Sequence, residues 1–251
     1  MENKQIIYYE QLDSTNVQAV RLAAEGAPHG TVVVAGTQTA GKGRRGRIWE
    51  SPQEDNIYMS LLLRPSLKPN QAPMLTLVMA QSVAVALQKA GFPDVQIKWP
   101  NDLILAGKKI CGILTEMYLQ GDTIDYVVVG VGVNVNTRVF PKELQEQATS
   151  LRLQGGKVLN CDPLVKNIVE VFEEYYQRFM EQGSLAFLCR QYNELLVNRG
   201  KEVCVLEPDY EYRAYAEGIN AQGELIVRTT AGEEKAVFAG EVSVRGVYGY
   251  I

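Results

Sequence analysis

The stretch richest in chemistry is GTQTAGKGRRGR, residues 36–47. Lys42, Arg44, Arg45 and Arg47 put four cations into six residues, interleaved with Gly43 and Gly46. Glycines let a backbone bend and approach a ligand closely. Guanidinium forks match phosphate oxygens, and a hydrogen bond to a charged group contributes about 1.5–3 kcal/mol. Two or three such bonds would hold a nucleotide phosphate. The stretch begins like a Walker A loop, with Gly36, Gly41 and Lys42 in register after a strand, but position 43 is glycine and offers no hydroxyl. RRGRIWESPQED has no helical period, so no helix N-terminus follows to receive phosphates. The P-loop reading is set aside for an anion-binding loop that orders over a ligand and excludes water. Taken alone, a solvated basic loop explains these residues equally well.

A second candidate is Lys109 in KKICGILTE. Strand alternation puts it on one face with Cys111 and Ile113 and turns Lys108 the other way. An amine on a half-apolar face needs an anion, unless it snorkels to the surface. Other chemistries are disfavoured. His29 is the single histidine and sits in the turn APHG, which argues against a Ser-His-Asp or Cys-His mechanism and more strongly against a histidine zinc site. Cys111, Cys161, Cys189 and Cys204 form no CxxC pair and read as buried thiols of a reducing compartment. The net charge of −4 gives no bulk attraction to nucleic acid or membrane. No signal peptide is evident, and MLTLVMAQSVAVAL is too short to span a bilayer. A soluble cytoplasmic protein is expected.

The elements that must position these groups follow from periodicity. QIIYYEQL reads as a strand and DSTNVQAVRLAAEG as a helix, with Asp13, Ser14 or Thr15 as cap and Gly26 as stop. TVVVAGTQ and NIYMSLLLR are strands joined by a polar, glycine-rich connection from about Thr39 to Asp55, long enough to be functional. APMLTLVMAQSVAVALQKAG is a deeply buried helix. VQIKWPNDLIL, KKICGILTEMYL and TIDYVVVGVGVNVN are three successive strands, which favours a mixed or antiparallel sheet over a pure βαβ one. CDPLVKNIVEVFEEYYQRFMEQG is a helix capped by Asp162 and ended by Gly183. LAFLCRQYNELLVNRG is another, stopping at Gly200. Beyond it KEVCVLEP, EYRAYAEGIN, GELIVRTT and KAVFAGEVSVRG are short strands of a small β-barrel. The expected fold is α/β (α+β): a mixed sheet flanked by helices over residues 1–199, and a barrel over 200–251.

Over nearly its whole length the chain resembles the biotin protein ligases. GKGRRGR is similar to that family's GRGRRGR loop, with Lys42 in place of the first arginine. KWPND, GKKICGILTE and GVGVNVN resemble its further signatures, and DSTN and GEVSVR fall in the expected order. The resemblance implies a class II aminoacyl-tRNA-synthetase-like catalytic domain with a C-terminal SH3-like barrel. It implies synthesis of biotinyl-5′-AMP from biotin and ATP with Mg²⁺, then transfer to one lysine of a biotin carboxyl carrier protein, of the acetyl-CoA or pyruvate carboxylase type. Lys109 and Arg44 are then catalytic. Ser14, Thr15, Asn16, Gln38, Lys42, Gly43, Arg44 and Gly112 bind biotin. Arg44, Arg47, Trp49, Lys98, Asn101, Asp102, Lys109, Asn134 and Arg245 bind the nucleotide, and Asp102 helps position Mg²⁺ or fixes a nearby cation.

Lysine at position 42 loses the forked geometry of arginine, which loosens phosphate contact. Because DSTN is reached within sixteen residues, no DNA-binding module is expected. Two rivals stand beside this reading. A lipoate or octanoate ligase would need a long apolar tunnel, which the polar DSTN turn disfavours. A nucleic-acid-binding module would use the basic loop and the barrel, but no aromatic residues stand among the loop cations. An exposed strand edge could pair two copies into a homodimer or dock the carrier.

Overall fold

The computed structural model describes residues 5–51, 55–207, 210–239 and 243–246, the last with the side chain of Val244 alone. The chain runs β1 (Ile6–Leu12), α1 (Thr15–Ala24), β2 (Thr31–Gln38), β3 (Ile57–Leu63), α2 (Met74–Lys89), β4 (Gln96–Lys98), β5 (Asp102–Leu105), β6 (Lys108–Gln120) and β7 (Thr123–Val133). It continues with α3 (Leu151–Gly155), α4 (Cys161–Gln182), α5 (Ala186–Leu195), β8 (Glu202–Leu206), β9 (Glu211–Ile219), β10 (Leu225–Thr229), β11 (Glu234–Val237) and β12 (Ser243–Gly246).

The first seven strands form one mixed sheet in the order β1-β2-β3-β7-β6-β5-β4. Its one parallel pair, β1 with β2, is joined through α1, the crossover that a parallel pair requires. All other neighbours are antiparallel. Both faces are covered in the middle of the sheet, which explains the unbroken apolar runs of β2 and β3. Val32, Val34, Leu61, Leu63, Val129 and Val131 face α2 and α4, while Val33, Leu62 and Val128 face Ala19 and Ala23 of α1. Helix α2 has no polar face to spare: every residue from Met74 to Ala84 is buried. Helix α1 is shorter and leaves part of its side of the sheet uncovered. That open area holds the site described below.

The last five strands form an antiparallel sheet, β11-β10-β9-β8-β12. It is not a detached unit. Val203, Val205, Ala214, Ala216, Leu225 and Val227 belong to the same buried cluster as α2 and α4. Trp99, 1% exposed, donates its indole N–H to the Gly223 carbonyl at 3.1 Å. Among the described residues no helix is long and apolar enough to cross a membrane.

Some elements differ from expectation. VQIKWPNDLIL is two strands, because Trp99–Asn101 reverse the chain between β4 and β5. Helix α5 ends at Leu195 and not at Gly200: Leu196 turns extended and Val197 donates to the Ile97 carbonyl, bonding the chain to β4. The cap of α4 is Asn160, whose side chain accepts from the Asp162 N–H at 3.1 Å; Asp162 sits in the first turn, and Gly183 ends the helix with φ 65° as expected. KAVFAGEVSVRG contains both β11 and β12. Of the cysteines only Cys111 is fully buried.

Candidate active site

Position within β6 decides where Lys109 points. Leu103 of β5 pairs with Cys111, but Ile104 pairs with Lys109, so Ile110 is an extra residue. This bulge lets Ile110 and Cys111 both enter the core and transfers Lys109 to the opposite face. The alternation argument, which grouped Lys109 with Cys111 and Ile113, therefore fails at this point. Lys109 instead stands beside Gly112 on the face that α1 leaves open: a Cβ at position 112 would lie 3.2 Å from the Lys109 Nζ. That Nζ contacts Asp102 Oδ1 at 2.6 Å, with the two side chains 26% and 16% exposed.

Glycines make the floor. Gly112, Gly130 and Gly132 lie on neighbouring strands and face the same way. Trp49 covers two of them, since a Cβ at Gly112 would meet its ring at 2.8 Å and one at Gly132 at 2.5 Å. Its ring centroid is 5.3 Å from the Lys109 Nζ, within cation–π range. The Trp49 Nε1 is buried without a hydrogen-bond partner. Asn16 covers the third glycine, Gly130, so closely that any side chain there would overlap its amide.

The loop above is a small hairpin. Lys42 bridges Ile48, the Gly43 N–H donates to the Arg47 carbonyl at 2.7 Å, and the Trp49 N–H donates to the Gly41 carbonyl at 2.9 Å. The turn at its tip needs positive φ at Arg45 (57°) and Gly46 (71°). Arg44 reaches inward, donating to Asn101 Oδ1 at 2.9 Å and to the Ala239 carbonyl at 3.2 Å. It thus ties the loop to the KWPND turn and to the segment after β11. Burial lowers the Arg44 pKa from the ordinary arginine value, and Asp102 acts in the opposite sense. Asn101 in turn donates to Asp102 Oδ1 at 3.0 Å.

The other end of the pocket is neutral and polar. Gln38 Oε1 accepts from the Thr15 N–H at 2.8 Å, and Gln38 Nε2 donates to Ser51 Oγ at 3.0 Å. The Ser60 hydroxyl lies 2.6 Å from Asn16 Oδ1 and 2.8 Å from Thr15 Oγ1. Asn16 Nδ2 donates to Glu116 Oε2 at 2.6 Å. Ser14 occupies the N-cap position of α1, yet its side chain makes no capping bond.

The pocket thus brings together Ser14, Thr15, Asn16, Gln38, Lys42, Gly43, Arg44, Trp49, Asn101, Lys109 and Gly112, all expected from sequence. Asp102 stands directly behind, through Lys109. Lys98 is buried as the cross-strand neighbour of Asp102 but does not line the pocket. Asn134 is not brought in: its amide donates to the Thr149 carbonyl at 3.2 Å and holds the following segment. Arg47 is exposed on the outside of the hairpin. Arg245 pairs through its backbone with Cys204, and its side chain lies outside the described residues. Four contributors were missed. Ser60 is a lone hydroxyl inside IYMSLLL, and a buried polar group in an apolar run signals a partner. Gly130 and Gly132 recur at the strand period of two in GVGV, which signals close approach on one face. Glu116 closes the GILTE motif and carried no separate signal.

Chemically, one end offers neutral donors and acceptors to a neutral hydrogen-bonding head. The other offers Lys109, Arg44 and Lys42 to an anion. Asp102 is the carboxylate expected to serve Mg²⁺, but its Oδ1 is taken by Lys109 and Asn101. Among the described residues no three His, Cys, Asp or Glu side chains gather to hold a metal. As placed, Asp102 fills the other role expected of it and fixes a neighbouring cation, Lys109. Burial raises the Cys111 thiol pKa, so it stays protonated beside Lys109.

The chain is similar to known proteins over most of its length. The profile of the Biotin/lipoate A/B protein ligase family matches residues 8–134, and that of the Biotin protein ligase C terminal domain matches residues 200–245. The bifunctional ligase/repressor BirA of Bacillus subtilis (strain 168) is 37% identical over 234 residues, 92% of this chain and 71% of that protein. The biotin--[acetyl-CoA-carboxylase] ligase of Paracoccus denitrificans is 31% identical over 227 residues, covering 88% of this chain and 93% of that protein. The solved biotin protein ligase from Aquifex aeolicus in complex with biotin and ATP superposes with a TM-score of 0.86 at 32% identity, covering 97% of this chain and 100% of that one. With matches spanning both the large sheet and the small one, the chain belongs to the biotin/lipoate A/B protein ligase family and, within it, to the biotin protein ligases.

Proposed function

We propose that the protein joins biotin to AMP and then passes the biotinyl group to a lysine of a biotin carboxyl carrier domain, of the acetyl-CoA or pyruvate carboxylase type. Residues 1–199 form the catalytic unit on this reading, and residues 200–251 a second unit packed on it. The observation that carries the reading is the two-ended pocket. Asn16, Thr15 and Gln38 suit a ureido group, which both donates and accepts. Some 100 residues away in sequence, Lys109 is aimed by Asp102 at the anionic end. A lipoate ligase would have little use for the polar end, which disfavours that alternative.

In the first step a biotin carboxylate oxygen bonds to the α-phosphorus of ATP. The bond from that phosphorus to its bridging oxygen breaks, and pyrophosphate leaves. Lys109 faces the charge that grows on the phosphoryl oxygens, and Asp102 holds its amine in place beforehand. Arg44 and Lys42 add charge from the loop. In the second step the amine of the carrier lysine attacks the biotinyl carbonyl, AMP leaves, and the amine gives up a proton. Between the steps the hairpin and Trp49 keep water from the mixed anhydride. Any Mg²⁺ enters with the triphosphate. The test is native mass spectrometry after incubation with biotin, Mg²⁺ and ATP. Bound biotinyl-AMP is the expected result, and its absence overturns the reading.

Two further outcomes follow from the loop. Arg44→Gly removes the ties to Asn101 and to the segment after β11. The adenylate should then escape, and bystander proteins should acquire biotin on exposed lysines; labelling confined to the carrier would contradict this. Protease cleavage within residues 39–51 should slow by about tenfold or more when biotin and ATP are added, as expected for a segment that orders over a ligand. Unchanged cleavage would show a loop indifferent to the ligands.

A further inference from the structure

Glu116 belongs to neither end of the pocket, yet it touches both. One oxygen, Oε2, accepts from Asn16 Nδ2 at 2.6 Å. The other, Oε1, lies 3.9 Å from the Lys42 Nζ. Its side chain is 27% exposed, that of Lys42 47%. An ionised carboxylate only accepts hydrogen bonds. It therefore compels the Asn16 amide to present its nitrogen toward β6 and its oxygen toward Ser60, where the hydroxyl stands at 2.6 Å. Asn16 also lies against Gly130 with no room for any side chain there, so it has few other positions to take. Lys42 belongs to the hairpin that covers the pocket, and its attraction to Glu116 draws that hairpin toward the neutral end.

We infer that Glu116 is a positioning residue that fixes the amide orientation of Asn16 for the neutral head of the ligand and, through Lys42, couples that end to closure of the basic hairpin. The inference rests on the proposed biotin-adenylating function. It adds a route by which the two ends of the pocket sense each other. A dispersed ion pair at the surface would not do this, because only a side chain with two differently engaged oxygens links the two groups. The coupling is modest, as an exposed pair allows. The amide orientation is the stronger effect.

The two roles separate under substitution, because glutamine keeps a carbonyl acceptor and loses the charge. The full-length protein is tested as wild type, Glu116→Gln, Glu116→Ala, Lys42→Met and the Glu116→Gln/Lys42→Met double variant. Steady-state adenylation gives KM for biotin and for ATP separately, and a protease of broad specificity reports hairpin opening in ligand-free protein. Glu116→Ala should raise the biotin KM by about 10- to 100-fold, the loss of a hydrogen bond to a charged group, with the ATP KM changed far less. Glu116→Gln should recover most of the biotin KM. It should nonetheless speed cleavage of the hairpin as much as Lys42→Met does, and the double variant should be cleaved no faster than either single one. Equal biotin KM for Gln and Ala, parallel rises in both KM values, or additive cleavage rates would overturn the inference. If the wild type makes no adenylate, the functional reading fails by itself, and the cleavage series in ligand-free protein still decides whether Glu116 and Lys42 act as a pair.

Discussion

Lys109→Ala should slow biotinyl-AMP formation by about 100- to 1,000-fold while changing biotin affinity by less than about threefold, the pattern of a group whose charge matters as charge develops on the reacting phosphorus. The reason is its placement. The bulge at Ile110 turns the amine from the core onto the glycine floor, and Asp102 Oδ1 holds it at 2.6 Å before any ligand arrives. An amine fixed this way need not reorganise during the reaction. Removing it also takes from Asp102 its ion-pair partner at 2.6 Å in a partly buried position, which destabilises the fold. The two effects are separable. Lys109→Ala combined with Asp102→Asn should regain melting temperature without regaining rate. A double variant that recovered both, or equal losses of rate and biotin binding in the single one, would remove Lys109 from the chemical step.

The second large effect is expected at Gly130. Gly130→Ala should weaken biotin binding by about 100-fold, read by calorimetry, from overpacking together with a lost charge-assisted bond. The new methyl group would overlap the Asn16 amide oxygen and stand 2.9 Å from its carbonyl carbon. Asn16 cannot retreat without giving up Glu116 on one side and Ser60 on the other. ATP affinity should hold to within about threefold, because the overlap is local and distant sites are nearly independent. Gly132→Ala gives the contrast: its methyl group would press on the Trp49 indole at 2.5 Å, on the other half of the floor. Similar biotin losses from both substitutions would mean that the floor acts as a whole and not through Asn16.

Much of this site could be read from the chain. The Gly-rich cationic loop announces itself by residue type; the DSTN turn, Gln38 and Asn101 of the KWPND turn are legible only through the resemblance to the ligases, and all four converge in the pocket. What escaped depends on long-range geometry. Alternation put Lys109 on the wrong face because a bulge is set by how β5 pairs with β6, and no local residue marks it. Helix α5 reads to Gly200 because that glycine is the stop signal in the sequence; a backbone bond from Val197 to β4 ends it sooner. Asp162 is a plausible cap by type, but it lies inside the first turn, and Asn160 just ahead of that turn accepts its N–H. Asn134, in an expected motif, turned out to brace the segment at Thr149. Ser60 and Glu116 matter only because Asn16, far away in sequence, lands between them.

The account stands or falls on whether the Lys109 ammonium meets the phosphate. The direct measurement is a crystal structure of the protein with biotinyl-AMP formed in place. The account predicts the Lys109 Nζ within about 2.7–3.2 Å of a phosphoryl oxygen, over the glycine floor, with the biotin head against Asn16. A phosphate bound elsewhere, with Lys109 still turned to Asp102 alone, would contradict it.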